Sequence, residues 1–460
     1  MLFSSLVFLF TFLPITLLVY YLVPRKVKNV VLLIASLIFY AWGEPVYIFL
    51  MLISILFNYF CGMDIALKAG RKSQVRSLIF TIVVNLFILG FFKYYGFIVT
   101  NLNAILPFYI PYRKLELPIG ISFYTFQTLS YIIDVYRGNV DVQVNLIDFG
   151  TYVTMFPQLI AGPIVQYADV ERQLRERKES LTKFGYGAWF FVMGLAKKVL
   201  LANTIGSIYE NIAAMDGMSV VTAWLGCLAY TFQIYFDFSG YSDMAVGLGK
   251  MFGFEFMQNF NYPYISKSVT EFWRRWHISL GSWFREYVYI PLGGNRVTVP
   301  RHLLNLLIVW FLTGLWHGAS WNFVLWGIVL LFFILLEKFC IGSFLKKHAL
   351  LSHLYLLFVI PPTWVIFRIT KLSDVGAYFS RLFPFFGTHS AVSAQDALKL
   401  LSSYWWLLLL GILFCLPQPR RFFEKHRGTP LIDLPLFVLF WVCVYFIATS
   451  TGNAFLYSRF

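Results

Sequence analysis

A histidine, a serine and an asparagine stand within one short stretch, LTGLWHGASWNFVLWG, as His317, Ser320 and Asn322. The runs on either side, LLNLLIVWF and VLLFFILL, are almost continuously apolar. Polar side chains in hydrocarbon are expensive and by default point to function. A neutral imidazole, with an ordinary pKa of about 6.5, can take a proton from a hydroxyl near neutral pH. Ser320 and Asn322 offer groups to orient that imidazole or to donate to a developing oxyanion. The structural alternative for His317 is hydrogen bonding between helices, and spacing alone leaves both roles open. Gly314 and Gly318 bracket the histidine, and without a Cβ they leave clearance for a close approach.

A second histidine, His277, lies in TEFWRRWHISLGSWFREYVYIPLGGNR, where aromatic residues alternate with Glu271, Arg274 and Arg275. That mixture suits a membrane interface, so His277 serves either as an anchor there or as part of a site. Asp237 and Asp243 in QIYFDFSGYSDMAVG fall six residues apart, just under two helical turns. They are read as lining a polar cavity or pairing with Arg274 or Arg275. No third ligand accompanies the two histidines, and no metal site is expected. The chain lacks GxSxG, GxxxxGK[ST], HExxH and GxGxxG, so nothing supports serine hydrolysis of the common type, ATP hydrolysis or zinc proteolysis.

The elements that must position these residues follow from composition. Of 460 residues, 59% are hydrophobic and 13% charged, against roughly 25% charged in soluble domains. Apolar runs of about 20 residues recur, each long enough to cross a hydrocarbon core. They are continuous rather than alternating, which excludes a β-barrel and leaves an all-α polytopic membrane protein. The reading gives 11–12 transmembrane helices plus re-entrant or interfacial helices, in one membrane domain over 1–460. Its core covers 118–340, further spans lie in 351–450, and the tail 451–460 faces outward.

The first apolar run lacks a basic leader and a small-residue cleavage site and is read as a retained span. Residues 166–184 read as a charged cytoplasmic helix, and 250–300 as a helix lying in, or dipping into, the interface. The net charge of +15 belongs to cytoplasmic loops and implies no nucleic acid. Five scattered cysteines without a CxxC imply neither a disulfide framework nor a zinc site. Arg301 and Lys338 lie about 24 Å and 31 Å from His317 along straight helices, which sets the histidine deep, toward the outer leaflet. Arg368, Lys371 and Arg381 then fall outside, against the usual charge bias.

The segments FWRRWHISLGSWFREYVYIPLGGNR and TGLWHGASWNFVLWG resemble the signature of the membrane-bound O-acyltransferase (MBOAT) family, in the branch that O-acetylates polysaccharides. LPIGISFYTFQTLSYIIDVYRG, MFPQLIAGPIVQY and QIYFDFSGYSDMAVGLGKMFGF resemble it too, in the same order. Glu286 stands where the resemblance leads one to expect Asp.

The resemblance implies a helical ring with a central tunnel, walled in part by Trp316, and acyl transfer across a bacterial-type cytoplasmic membrane. It makes His317 the catalytic histidine and His277 a second active residue, while Asn322, Ser320, Asp237, Arg274, Arg275 and Glu271 are read from their own types and positions as tunnel or supporting residues. Acetyl-CoA is the implied donor, with no permanently bound cofactor. An extracytoplasmic polysaccharide, or a secreted or periplasmic acetyltransferase partner, is the implied acceptor. Tyr457, in the C-terminal NAFLYSRF, becomes a possible transient acyl carrier. D-alanyl transfer to teichoic acid and a non-enzymatic transporter or flippase are the alternatives.

Overall fold

The computed structural model describes residues 1–113, 115–160, 162–215, 217–386, 394–450 and 456. Every regular element among them is helical. Nine helices of the described residues are long and apolar enough to cross a bilayer, and a shorter apolar helix covers Phe8–Leu22. The expected spans that fall short do so for local reasons. Ile121–Arg137 has 17 residues, about 26 Å of helix. The run at 148–165 is divided into Leu146–Thr154 and Phe156–Leu159, with Pro157 opening the second piece. Val220–Met251 has 32 residues but carries Gln233, Asp237 and Asp243, too polar for an ordinary span. The protein is an all-α polytopic membrane protein.

Its backbone gathers into two compact units. The first comprises Met1–Phe191, Asp243–Met257 and Arg285–Tyr287. Here Phe3, Phe8, Phe12, Phe39 and Phe156 form an aromatic core with ring centroids 5.0–6.4 Å apart. Asn58 and Asn85 exchange amide hydrogen bonds of 3.1 and 2.9 Å between two membrane helices, a polar lock suited to lipid surroundings. The charged segment expected at 166–184 contains the helix Tyr167–Glu176, started by a reciprocal Gln166–Asp169 capping box.

The second unit comprises Val192–Ser242, Gln258–Phe284 and Val288–Phe460 and holds both sequence-selected histidines. Val299–His317 and Trp321–Leu336 form a helical hairpin joined by three residues. Glycines let their backbones touch. A Cβ on Gly314 would lie 2.4 Å from the Phe323 carbonyl oxygen, and one on Gly327 would lie 2.5 Å from that of Trp310. A Cβ on Gly318 would strike the Phe323 ring at 2.2 Å. The clearance beside His317 is therefore filled by the hairpin's own packing and is not left for a substrate. Gly314→Val should overpack this seam at about 1–3 kcal/mol and lower the melting temperature in detergent by a few degrees. Phe332→Leu, at a 59% exposed position, should leave it nearly unchanged; equal shifts would contradict the assignment.

Residues 250–300 do not form one interfacial helix. They include the short helices Val269–Arg275 and Ile278–Phe284. Between these, His277 adopts φ 45°, a left-handed conformation that ordinary helix interiors do not contain. The 259–261 segment laces across the break: Asn261 N–H donates to the Arg275 carbonyl and Ile278 N–H to that of Asn259, both at 2.9 Å.

Candidate active site

His317 is the last residue of its helix and is 6% exposed. Three rings meet its imidazole nearly edge to face: Trp316 and Trp326 with centroids at 5.1 Å, and Phe367 at 5.2 Å. Trp316 also meets the ring of His277, at 5.8 Å and 78°. One indole thus stands against both histidines, although 39 residues separate Trp316 from His277 in sequence. The aromatic walls are part of a larger apolar cluster that includes Trp276, Phe323, Trp326, Trp364 and Phe367.

Phe367 owes its position to the end of another helix. Ala349–Arg368 closes one residue beyond this ring, where helix carbonyls have no partner within the helix. Asn322 supplies it: its amide donates to the carbonyls of Ile366 and Phe367 at 3.1 and 3.0 Å. Both amide hydrogens are thereby used, so Asn322 holds the wall of the cage and does not donate to an oxyanion. Its own Oδ1 is buried without a hydrogen-bond partner among the described residues. Ser320 is half-buried and stands at the N-cap of Trp321–Leu336 without a side-chain cap bond. Trp326 is fully buried, and its indole N–H has no hydrogen-bond partner among the described residues, which makes it a donor beside the imidazole that the sequence did not single out.

His277 is 5% exposed. Burial holds its imidazole far below the ordinary value, at about 3, so it stays neutral throughout the physiological range. Its Nδ1 lies 3.5 Å from the Ser279 hydroxyl, which in turn donates to Asn259 Oδ1 at 2.9 Å. A ring that does not charge is suited to shaping a site and poorly suited to carrying a proton through a cycle.

The remaining sequence-selected residues separate into two groups. Glu271 pairs with Arg275 at 2.8 Å one turn along the same helix, and Arg274 is exposed. Asp237 pairs with neither arginine. It is 1% exposed and forms an ion pair with Lys198, itself 2% exposed. A charge in an apolar segment is a legible signal, and Lys198 carried it in GLAKKVLLANT. Glu337 carried the same signal at the end of VLLFFILLEK. It receives the Val269 N–H, the Thr270 N–H at 3.0 Å and the Thr270 hydroxyl at 2.7 Å, capping the helix that leads to His277. Arg368, placed against the charge bias, is balanced by Glu210 at 3.0 Å. Tyr457 lies outside the described residues.

The chain matches the model of the MBOAT, membrane-bound O-acyltransferase, family over residues 34–370. It is 42% identical to a probable alginate O-acetylase of Azotobacter vinelandii, covering 95% of this chain and 90% of that protein. It is 30% identical to the peptidoglycan O-acetyltransferase of Helicobacter pylori, covering 100% and 98%. Likeness to the teichoic acid D-alanyltransferase of Bacillus subtilis is 28% and covers only 46% of this chain and 56% of that protein.

Proposed function

This chain belongs to the membrane-bound O-acyltransferase family, and we propose that it moves an acetyl group from a cytoplasmic thioester across the membrane for O-acetylation of an extracytoplasmic polysaccharide. The observation that carries the reading is His317, buried in an aromatic cage at the turn between two spans. Likeness over nearly the whole chain to O-acetylases, and over less than half of it to a D-alanyltransferase, favours acetyl transfer.

The chemistry follows from the groups present. Neutral His317 takes the proton of an acceptor hydroxyl as its oxygen attacks the thioester carbonyl. The resulting oxyanion needs a donor, for which the unpartnered Trp326 indole N–H is the candidate. Collapse forms the ester and expels a thiolate, which takes the proton back from the imidazolium. Aromatic walls keep bulk water from competing for the thioester. Acetyl-CoA is the donor that fits this step. Tyr457 is the first acceptor in this reading, and it hands the acetyl group to a separate outer-face transferase. The membrane is the bacterial cytoplasmic membrane.

The stronger likeness to an alginate O-acetylase than to a peptidoglycan O-acetyltransferase favours an exopolysaccharide as the final acceptor. Ester-linked acetate should be measured on isolated exopolysaccharide and on peptidoglycan from a strain lacking this chain, with and without complementation. A drop of tenfold or more confined to exopolysaccharide, restored by the wild-type gene, is expected. Loss from peptidoglycan alone overturns the choice of polymer, and loss from neither overturns the function.

A further inference from the structure

The helix Pro430–Thr449 ends seven residues before Leu456, a stretch that spans at most about 24 Å when extended. Leu456 nevertheless lies inside the second unit, 3% exposed. It belongs to the same apolar cluster as Trp276, Trp326 and Phe367, the rings that wall His317 and flank His277. Its backbone N–H donates to Asp237 Oδ2 at 2.9 Å, across 219 residues of sequence. The other carboxylate oxygen faces Lys198.

Local packing builds this arrangement. A Cβ on Gly240 would lie 2.7 Å from the Gly194 carbonyl oxygen and 3.1 Å from the Lys198 nitrogen, so glycine lets these helices approach closely. Lys198 sits in a π-helical turn, Lys197–Ala202, a local widening often found where a helix bends its geometry to a task. The result is a buried carboxylate, charge-balanced on one side and presenting the other oxygen to a main-chain donor of the tail. A buried ion pair adds little stability compared with well-packed apolar residues, so stability alone gives no reason to keep it.

We propose that Asp237, balanced by Lys198, is the berth that anchors the C-terminal tail in the interior of the second unit. Its functional consequence rests on the reading of Tyr457 as acyl carrier: Asp237 is a positioning residue that fixes the chain immediately before that tyrosine. The polar part of this recognition is through the Leu456 backbone amide, and burial of the Leu456 side chain in the apolar cluster adds to it.

The test uses the full-length protein purified in detergent and digested with a carboxypeptidase, with trimming followed by intact mass. Two variants open the berth by different routes. Leu456→Pro deletes the N–H donor and leaves the ion pair intact. Lys198→Met combined with Asp237→Leu deletes the acceptor without leaving an unpaired buried charge. Trimming of residues 458–460, which precedes any cleavage at position 456, should be at least about tenfold faster in both, since a hydrogen bond to a charged group is lost. Leu456→Met keeps the donor and should match wild type. Unchanged trimming in Leu456→Pro overturns the berth, whatever the double variant does. The carrier reading fails separately, if Tyr457→Phe remains protected and still supports acetylation.

Discussion

His317→Ala should lower polymer acetylation by at least about a hundredfold, the lower range of what a general base contributes, while the protein remains folded in the membrane. Alanine also removes ring contacts with Trp316, Trp326 and Phe367, each worth about 0.5–1.5 kcal/mol, so some loss of melting temperature is expected alongside. A structural histidine would predict activity loss in proportion to that destabilisation. His317→Phe separates the two, because phenylalanine keeps an aromatic ring in the cage and supplies no base. Catalysis requires His317→Phe to be as inactive as His317→Ala while melting closer to wild type. Substantial activity in His317→Phe would sink the assignment. His277 is not expected to rescue either variant, because burial disfavours the charged form of its imidazole and its ring meets Trp316 rather than His317.

The membrane class, the helical hairpin and the histidine at its turn were legible because each depends on local pattern. Continuous apolar runs define spans, and a polar residue within one is conspicuous wherever the helices pack. What surrounds His317 was only half legible. Trp316 and Trp326 lie in the same motif, whereas Phe367 arrives from a helix 50 residues further on. Asn322 looked like an oxyanion donor because its type and proximity fit. Only the position of the Ala349–Arg368 helix end reveals that its amide hydrogens are already engaged. Asp237 was similarly visible as a buried carboxylate and misassigned in its partner. Arg274 and Arg275 are nearer in sequence than Lys198, but the close approach at Gly194 and Gly240 selects the lysine. The break at His277 had no advance signal, since its left-handed backbone is imposed by the 259–261 segment laid across it.

Tyr457→Phe should likewise reduce acetylation of the polymer to a few per cent of wild type or less, and by a cleaner deletion. The substitution removes a single oxygen, the one proposed to attack the thioester carbonyl and hold the acetyl group. The anchor immediately upstream uses the Leu456 N–H and the Asp237 carboxylate, groups that the substitution leaves in place. Tail position and tail chemistry are therefore separable: Tyr457→Phe keeps the berth and loses the nucleophile, whereas Leu456→Pro keeps the nucleophile and loses the berth. Both should silence transfer to the polymer, but only the first should leave donor turnover limited to slow hydrolysis with a fully protected tail. Acetate on the wild-type tail, found by mass spectrometry of the C-terminal peptide after incubation with acetyl-CoA, should vanish in Tyr457→Phe and in His317→Ala. Wild-type levels of polymer acetate in Tyr457→Phe would leave His317 as the base for direct transfer to a sugar hydroxyl and remove the tyrosine from the pathway.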